Sequence, residues 1–225
     1  EINQPLNVIQ VSADYILKMI RKGRPPDPAE LKSVAADIIA GVERASFVIK
    51  HVRDFSRQSE IVCSRVVVND PIRDVFKILG HQLKAHAIEV TLDLDPEIPA
   101  IMADHNRLEQ VFVNLVSNAI DAIEEKQNLP DAADPARRLA IRSYRDRDRV
   151  VVAVNDSGAG MPEHVKNKLF EPFFTTKKVG KGTGLGTSIS YGIVKDYNGR
   201  IEVESEPGRG TTFTLIFPAE GQGAA

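Results

Sequence analysis

Three polar side chains recur at helical spacing in the middle of the chain: Asn114, Asn118 and Asp121, four and then three residues apart. On a helix they share one face. An amide oxygen is a hard, neutral ligand that suits Mg2+, an ion that keeps several waters and borrows the rest of its shell from phosphates. A solvated polar face has the same spacing, so the helix alone leaves both readings open. A second group, Asp156-Ser157-Gly158-Ala159-Gly160-Met161-Pro162, follows a strand-like run. An acid at a strand end can accept a hydrogen bond from an exocyclic amine, and two glycines let the backbone pass close to a flat ligand. A tight strand-to-helix turn accounts for the same residues equally well. The third group, Gly180-Lys181-Gly182-Thr183-Gly184-Leu185-Gly186, opens a helix. Glycine-rich backbone ahead of a helix N-terminus presents N–H donors where the helix dipole favours an anion. Lys177, Lys178 and Lys181 add positive charge beside it. The run is neither a P-loop nor a dinucleotide fingerprint, and a flexible surface loop is its plain alternative.

These groups need elements to hold them. Asp104 can cap a long helix running to about Lys126, whose apolar face is Leu108, Val111, Leu115, Ala119 and Ala122, roughly opposite the asparagines. Strand-like segments lie at Arg65–Asn69, Ile88–Leu94, Leu139–Tyr144, Val150–Asn155, Arg200–Ser205 and Thr211–Phe217. Helices are expected from Pro71 and from Leu185 to Tyr197, and the order suggests a two-layer α/β sandwich. The first sixty residues read differently. Leu6, Ile9, Ala13, Ile16 and Ile20 form one 3-4 seam. Leu31, Val34, Ile38, Gly41, Ala45, Val48, Val52 and Phe55 form another, with Asp27 as cap and Pro28 as first helical residue between them. A hairpin of two such helices has little interior, so a dimeric four-helix bundle is the economical reading. The expected division is therefore an antiparallel helical hairpin over 1–59, an α/β sandwich domain over 60–218 and a polar tail over 219–225.

Composition narrows the class. The 225 residues are 42% hydrophobic and 27% charged with a formal net charge of -2, so there is no electrostatic case for nucleic acid. The lone Cys63 excludes a disulfide framework and fits a reducing cytosol. No apolar stretch approaches the ~18 residues of a membrane span. The chain opens inside a helix without an initiator Met, so a longer protein is expected, with any sensory or membrane segments elsewhere.

The order of the motifs carries more than any one of them. Asn114-Leu-Val-Ser-Asn118-Ala, Asp156 to Gly160, Phe170-Glu171-Pro172-Phe173-Phe174, Gly182 to Gly186 and Gly208-Arg209-Gly210-Thr211-Thr212-Phe213 follow one another over roughly a hundred residues. This succession resembles the Bergerat-fold ATPase domain of sensor histidine kinases, with its N box, first glycine box, F box and second glycine box. The resemblance implies ATP and Mg2+ as ligands, with Asn118 holding the metal and Asn114 and Asp121 lining the site. Asp156 would recognise adenine, Gly158 and Gly160 would line the base pocket, and Thr211 would support Asp156. Phe170 to Gly186 would form a lid, with Thr176, Lys177, Gly182, Thr183, Gly184, Leu185 and Gly186 meeting the phosphates. Related ATP hydrolases carry a water-activating Glu where Asn114 stands, and its replacement fits a kinase.

Glu1-Ile-Asn-Gln4-Pro5-Leu6 resembles the family's H box without its first residue. The phospho-accepting histidine would stand immediately before Glu1, which would hydrogen-bond the imidazole and sharpen its nucleophilicity. Pro5 would bend the helix, and Gln4 resembles a subgroup in which this side chain can position water for dephosphorylation. His51, His81, His86, His105 and His164 lack that context. The implied activity is autophosphorylation from MgATP, then transfer to an aspartate on a response-regulator receiver domain. Lys177 would neutralise charge, the segment Gln58 to Arg65 would be the hinge, and a homodimer would form through the hairpin. The implied location is cytoplasmic, with any membrane anchoring left to other segments. An ATP hydrolase of the chaperone or DNA-repair type is one alternative. A nucleotide-gated interaction module or response-regulator phosphatase without kinase activity is another.

Overall fold

The computed structural model describes residues 3–23, 27–56, 63–127, 136–177 and 183–220. Two compact units divide the chain, Glu1–Ser59 with Thr176–Thr183, and Glu60–Thr175 with Gly184–Ala225. Among the described residues no helix is long and apolar enough to cross a membrane.

The first unit is built on two helices, α1 (Asn3–Arg21) and α2 (Pro28–Ser56). The start of α2 follows the sequence expectation. Asp27 Oδ1 accepts the Glu30 N–H at 2.8 Å, and the Asp27 carbonyl accepts Leu31 N–H at 2.9 Å. The helices close on Gly41, where an added Cβ would lie 2.7 Å from Ile9 Cγ1 and 3.2 Å from the Pro5 carbonyl. The Tyr15 hydroxyl donates to Glu30 across the pair. Leu6, Val8, Val11, Leu17, Ile20, Leu31, Ile39 and Val42 stay exposed, so this hairpin buries only part of its apolar surface.

The second unit runs β1 (Ser64–Val66), α3 (Asn69–Ala85), β2 (Glu89–Leu94), β3 (Ile101–Ala103) and α4 (His105–Gln127). It continues through β4 (Arg138–Asp146), β5 (Arg149–Asp156), α5 (Glu163–Lys166), α6 (Gly186–Asp196), β6 (Arg200–Glu206) and β7 (Gly210–Pro218). Five strands form one sheet in the order β2-β4-β5-β7-β6, with β2 parallel to β4 and every other pairing antiparallel. β1 and β3 make a separate antiparallel pair. Alternation puts Leu139 and Ile141 of β4, Val150, Val152 and Val154 of β5, and Phe213, Leu215 and Phe217 of β7 into the core. Against them α4 lays Leu108, Val111, Phe112, Leu115, Ala119 and Ile120. A buried polar link joins α3 to the sheet: Ser143 Oγ donates to Asn69 Oδ1 at 2.6 Å, and Asn69 Nδ2 donates to the Asp95 carbonyl at 2.8 Å. Asp104 caps α4 as expected, its Oδ1 accepting the N–H groups of Asn106 (2.9 Å) and Arg107 (3.1 Å).

Three details depart from the sequence reading. α3 begins at Asn69, so Pro71 falls inside its first turn, where a missing N–H is harmless. β3 and α5 were not anticipated, because elements of three and four residues are too short to show a period. Ala219 and Glu220, expected in the polar tail, are tied into the second unit. Ala219 N–H donates to the Asp148 carbonyl, Glu220 N–H to Ala100, and the Glu220 carboxylate pairs with Arg65 Nε at 2.6 Å. The core assignment has a direct test. Phe112, fully buried, should cost about 3–5 kcal/mol when cut to Ala. Ile78, 56% exposed on α3, should cost no more than about 0.5 kcal/mol. Urea unfolding of the two variants measures both, and equal losses would contradict the packing described.

Candidate nucleotide site

Strand β5 runs through the middle of the sheet and delivers Asp156 to its end, opposite Leu139 on β4 and Thr211 on β7. The residue is 5% exposed. Burial disfavours its charge and pushes its pKa up to about 6, while backbone N–H groups of Gly158 and Thr211 and the Lys126 ammonium pull the other way. The Gly158 N–H reaches Asp156 Oδ1 at 2.8 Å. The folded protein keeps a proton that an unfolded chain has already lost, so this group weakens stability as pH rises through the ordinary carboxylate range to about 6.

Two glycines let the turn after β5 close. A Cβ on Gly158 would stand 2.6 Å from Ala122 Cβ, and the next residue's N–H donates to the Ala122 carbonyl at 2.9 Å. The turn therefore lies directly on α4. Gly160 has φ +67°, and a Cβ there would come 2.0 Å from the Glu206 carbonyl oxygen. Beyond it, Met161 N–H donates to Ser205 Oγ at 2.8 Å, and Ser205 gives its own proton to the Gly210 carbonyl at 3.0 Å. The 2.9 Å contact between Ser205 and Thr211 hydroxyls must then have Thr211 as donor. Thr211 meets Asp156 through its backbone N–H, while its hydroxyl holds Ser205.

Lys126 was not singled out in the sequence. It is buried in the last turn of α4, and its Nζ donates to the Ser157 carbonyl at 3.0 Å. A cation at a helix C-terminus has an ordinary explanation in the macrodipole, which hides its second role. The available signal was its register, four residues past Ala122 on the apolar face.

The asparagine side of α4 is partly covered rather than open to solvent. Asn114 Nδ2 donates to the Gly186 carbonyl and to Ser190 Oγ, each at 3.2 Å. Asn118 and Asp121, half-buried, follow on later turns of the same face. Gly186 opens α6, and Leu185 at the cap position supplies no side-chain hydrogen bond, so the first-turn N–H groups remain an anion-favouring end. Gly184 leads into this turn, its carbonyl accepting the Phe173 N–H at 2.9 Å. Phe170 packs against Tyr191 with ring centroids 4.9 Å apart. Thr176, Lys177 and Thr183 group with the helical unit. Gly182 and Glu1 lie outside the described residues, and of Gln4 only its place on α1 is described. The second unit thus places a buried acceptor and the start of α6 against α4, the helix that carries the amide side chains.

Residues 103–221 match the family described as histidine kinase-, DNA gyrase B-, and HSP90-like ATPase. The chain belongs to this family. Within it the chain stands with the sensor histidine kinases. It is 33% identical to the catalytic domain of histidine kinase ThkA, covering 70% of this chain and 95% of that one with a TM-score of 0.59. Sensor kinase CckA of Brucella abortus is 38% identical over 227 residues, which cover 97% of this chain and 23% of CckA. The structure of ThkA in complex with the response regulator protein TrrA aligns over 99% of this chain and 60% of that chain, at 26% identity and a TM-score of 0.69. The chain spans less than half the length of the curated relatives it matches.

The electrostatics of Asp156 can be read directly. Replacing Lys126 with Met removes the nearby positive charge, so the Asp156 pKa should rise above its present value of about 6. Carboxyl-carbon NMR titration follows it, and an unmoved or lowered midpoint would show that the ammonium is not felt there.

Proposed function

We propose that the second unit binds MgATP and serves as the catalytic half of a protein-histidine kinase. The observation that carries this reading is Asp156: a buried carboxyl at a central strand end, braced by two backbone donors and flanked by close-packed glycines. Such a group suits the exocyclic amine of adenine, which supplies the hydrogen bond that burial denies it. Gly158 and Gly160 shape the base pocket, and Thr211 braces the acid from the neighbouring strand. The start of α6, with Gly184, Leu185 and Gly186, meets the phosphates. From their place in the family's motifs we also assign Thr176, Lys177, Gly182 and Thr183 to the triphosphate, with Lys177 offsetting charge.

The donor set fits Mg2+. Asn114 commits its amide nitrogen to α6, which leaves its oxygen as the remaining end, and Asn118 and Asp121 continue a row of hard oxygen donors. Asn118 is the ligand we assign, with Asn114 and Asp121 beside it. Bound Mg2+ would supply charge neutralisation for phosphoryl transfer. The chain's own residues hold and orient the triphosphate.

In the longer protein we place the acceptor at a histidine adjoining Glu1, with Glu1 polarising the imidazole and Gln4 available to position water in the reverse, phosphatase direction. The phosphoryl group then passes to an aspartate of a response-regulator receiver domain. The complex of ThkA with TrrA, aligned over nearly the whole of this chain, supports that class of partner. The exposed apolar residues of α1 and α2 support homodimerisation through the hairpin. We place this core in the cytoplasm, where ATP and receiver domains are available.

Two measurements test the site. Asn118→Ala should weaken MgATP binding by more than about tenfold, at least ~1.4 kcal/mol, with a smaller effect on metal-free ATP. Equal affinity for MgATP would remove the metal assignment. Adenine should favour the ionised Asp156, so MgATP affinity should rise with pH up to about 6 and level off above it, with a proton released on binding near that pH. Calorimetry in two buffers of different ionisation enthalpy reads that proton. For the kinase reaction, a chain extended to include the residue before Glu1 should acquire acid-labile, base-stable label from radioactive ATP. A residue other than His there contradicts the reading.

A further inference from the structure

The contact between α4 and α6 has one member that no motif anticipated. Ser190 is buried in the second turn of α6, 1% exposed. Its hydroxyl donates to the Gly186 carbonyl at 2.9 Å and accepts from Asn114 Nδ2 at 3.2 Å. The same Asn114 nitrogen also donates to the Gly186 carbonyl at 3.2 Å. The two acceptors are themselves only 2.9 Å apart, so they lie on one side of the Asn114 nitrogen and share its donor capacity. Flipping the carboxamide would set its oxygen against the Gly186 carbonyl and against a Ser190 hydroxyl whose proton is already given to that carbonyl, so the pair selects the orientation with nitrogen toward these two acceptors.

We infer that Ser190 is a positioning residue for the metal–triphosphate end of the site, fixing Asn114 so that its oxygen faces the first turn of α6. The position of the oxygen agrees: a Cβ placed on Gly186 would lie 3.7 Å from Asn114 Oδ1, so this oxygen runs alongside the residue that opens the helix. The inference rests on the MgATP reading above and deepens it. Ser190 touches no ligand itself and acts through Asn114. Its removal should not release α6, because the far end of that helix is held separately by Arg107, whose guanidinium donates to Asp196 Oδ2 at 2.6 Å.

The test compares the unaltered chain with Ser190→Ala and Ser190→Thr by calorimetry with MgATP and with metal-free ATP, alongside thermal melting. Ser190→Ala should bind MgATP about tenfold more weakly, the lower end of what lost support behind a ligand costs. Its affinity for metal-free ATP should change far less. Ser190→Thr keeps the hydroxyl and should restore MgATP affinity to within about threefold. Ser190→Cys, a size-matched weak donor and acceptor, carries the alanine variant's expectation if alanine lowers solubility. Unchanged MgATP affinity in Ser190→Ala overturns the inference. So does a parallel loss for both ligand forms that tracks the melting temperature, which would mark a purely structural role. Failure of the unaltered chain to bind MgATP overturns the nucleotide reading, and this inference with it.

Discussion

The second unit depends on helix α4 being packed on two sides at once. One side carries Leu108, Phe112, Leu115 and Ile120 into the sheet, and burial of that stripe fixes how deep the helix lies. The depth then sets everything at its margins. The turn after β5 rests on Ala122 with no room for a side chain at Gly158, while α6 hangs from Asn114. Moving α4 outward by the width of one methyl group would open the turn after β5 and the start of α6 together. Close packing leaves no soft layer to absorb such a shift.

Asp156 shows how a site keeps a group ready for a ligand without satisfying it. Desolvation alone would neutralise the carboxyl, and an unopposed set of donors would hold it fully ionised. The balance of Gly158, Thr211 and Lys126 against burial leaves it near the midpoint, at about 6. A donor arriving with the ligand tips that balance. On the proposed reading, an amine at that ring position would suit the ionised carboxylate better than a carbonyl, which offers it no proton.

Much of this was legible because several independent patterns agreed. The α4 stripe and its Asp104 cap, the break before Pro28, and the alternation in β4, β5 and β7 all state their structure in their spacing. The ordered motifs located Asp156 and the glycines that the structure brings to one turn. What stayed hidden was of two kinds. Short elements such as β3 and α5 have no period to display. Lys126 and Ser190 look like surface residues by type, and only their tertiary neighbours bury them. A propensity argument cannot see a lysine whose ammonium finds a carbonyl across the fold, or a serine that accepts from an amide on another helix. Ala219 and Glu220 likewise read as tail because their partners, Asp148, Ala100 and Arg65, are distant in sequence.

The parallel pairing of β2 with β4 has a consequence for how the unit forms. Parallel neighbours cannot be joined by a tight turn, so the chain between them must cross over, and here the crossing segment includes α4 itself. The helix that carries the asparagines is thus the connection that makes the edge of the sheet possible. Its ends are tied at β3 and β4, and its faces at β5 and α6. Local opening of the β2 edge would loosen α4, and with it both halves of the site. Binding competence and the cooperative integrity of the unit are then one property, so a nucleotide held here would protect the sheet's amides as a block rather than a lid's amides alone.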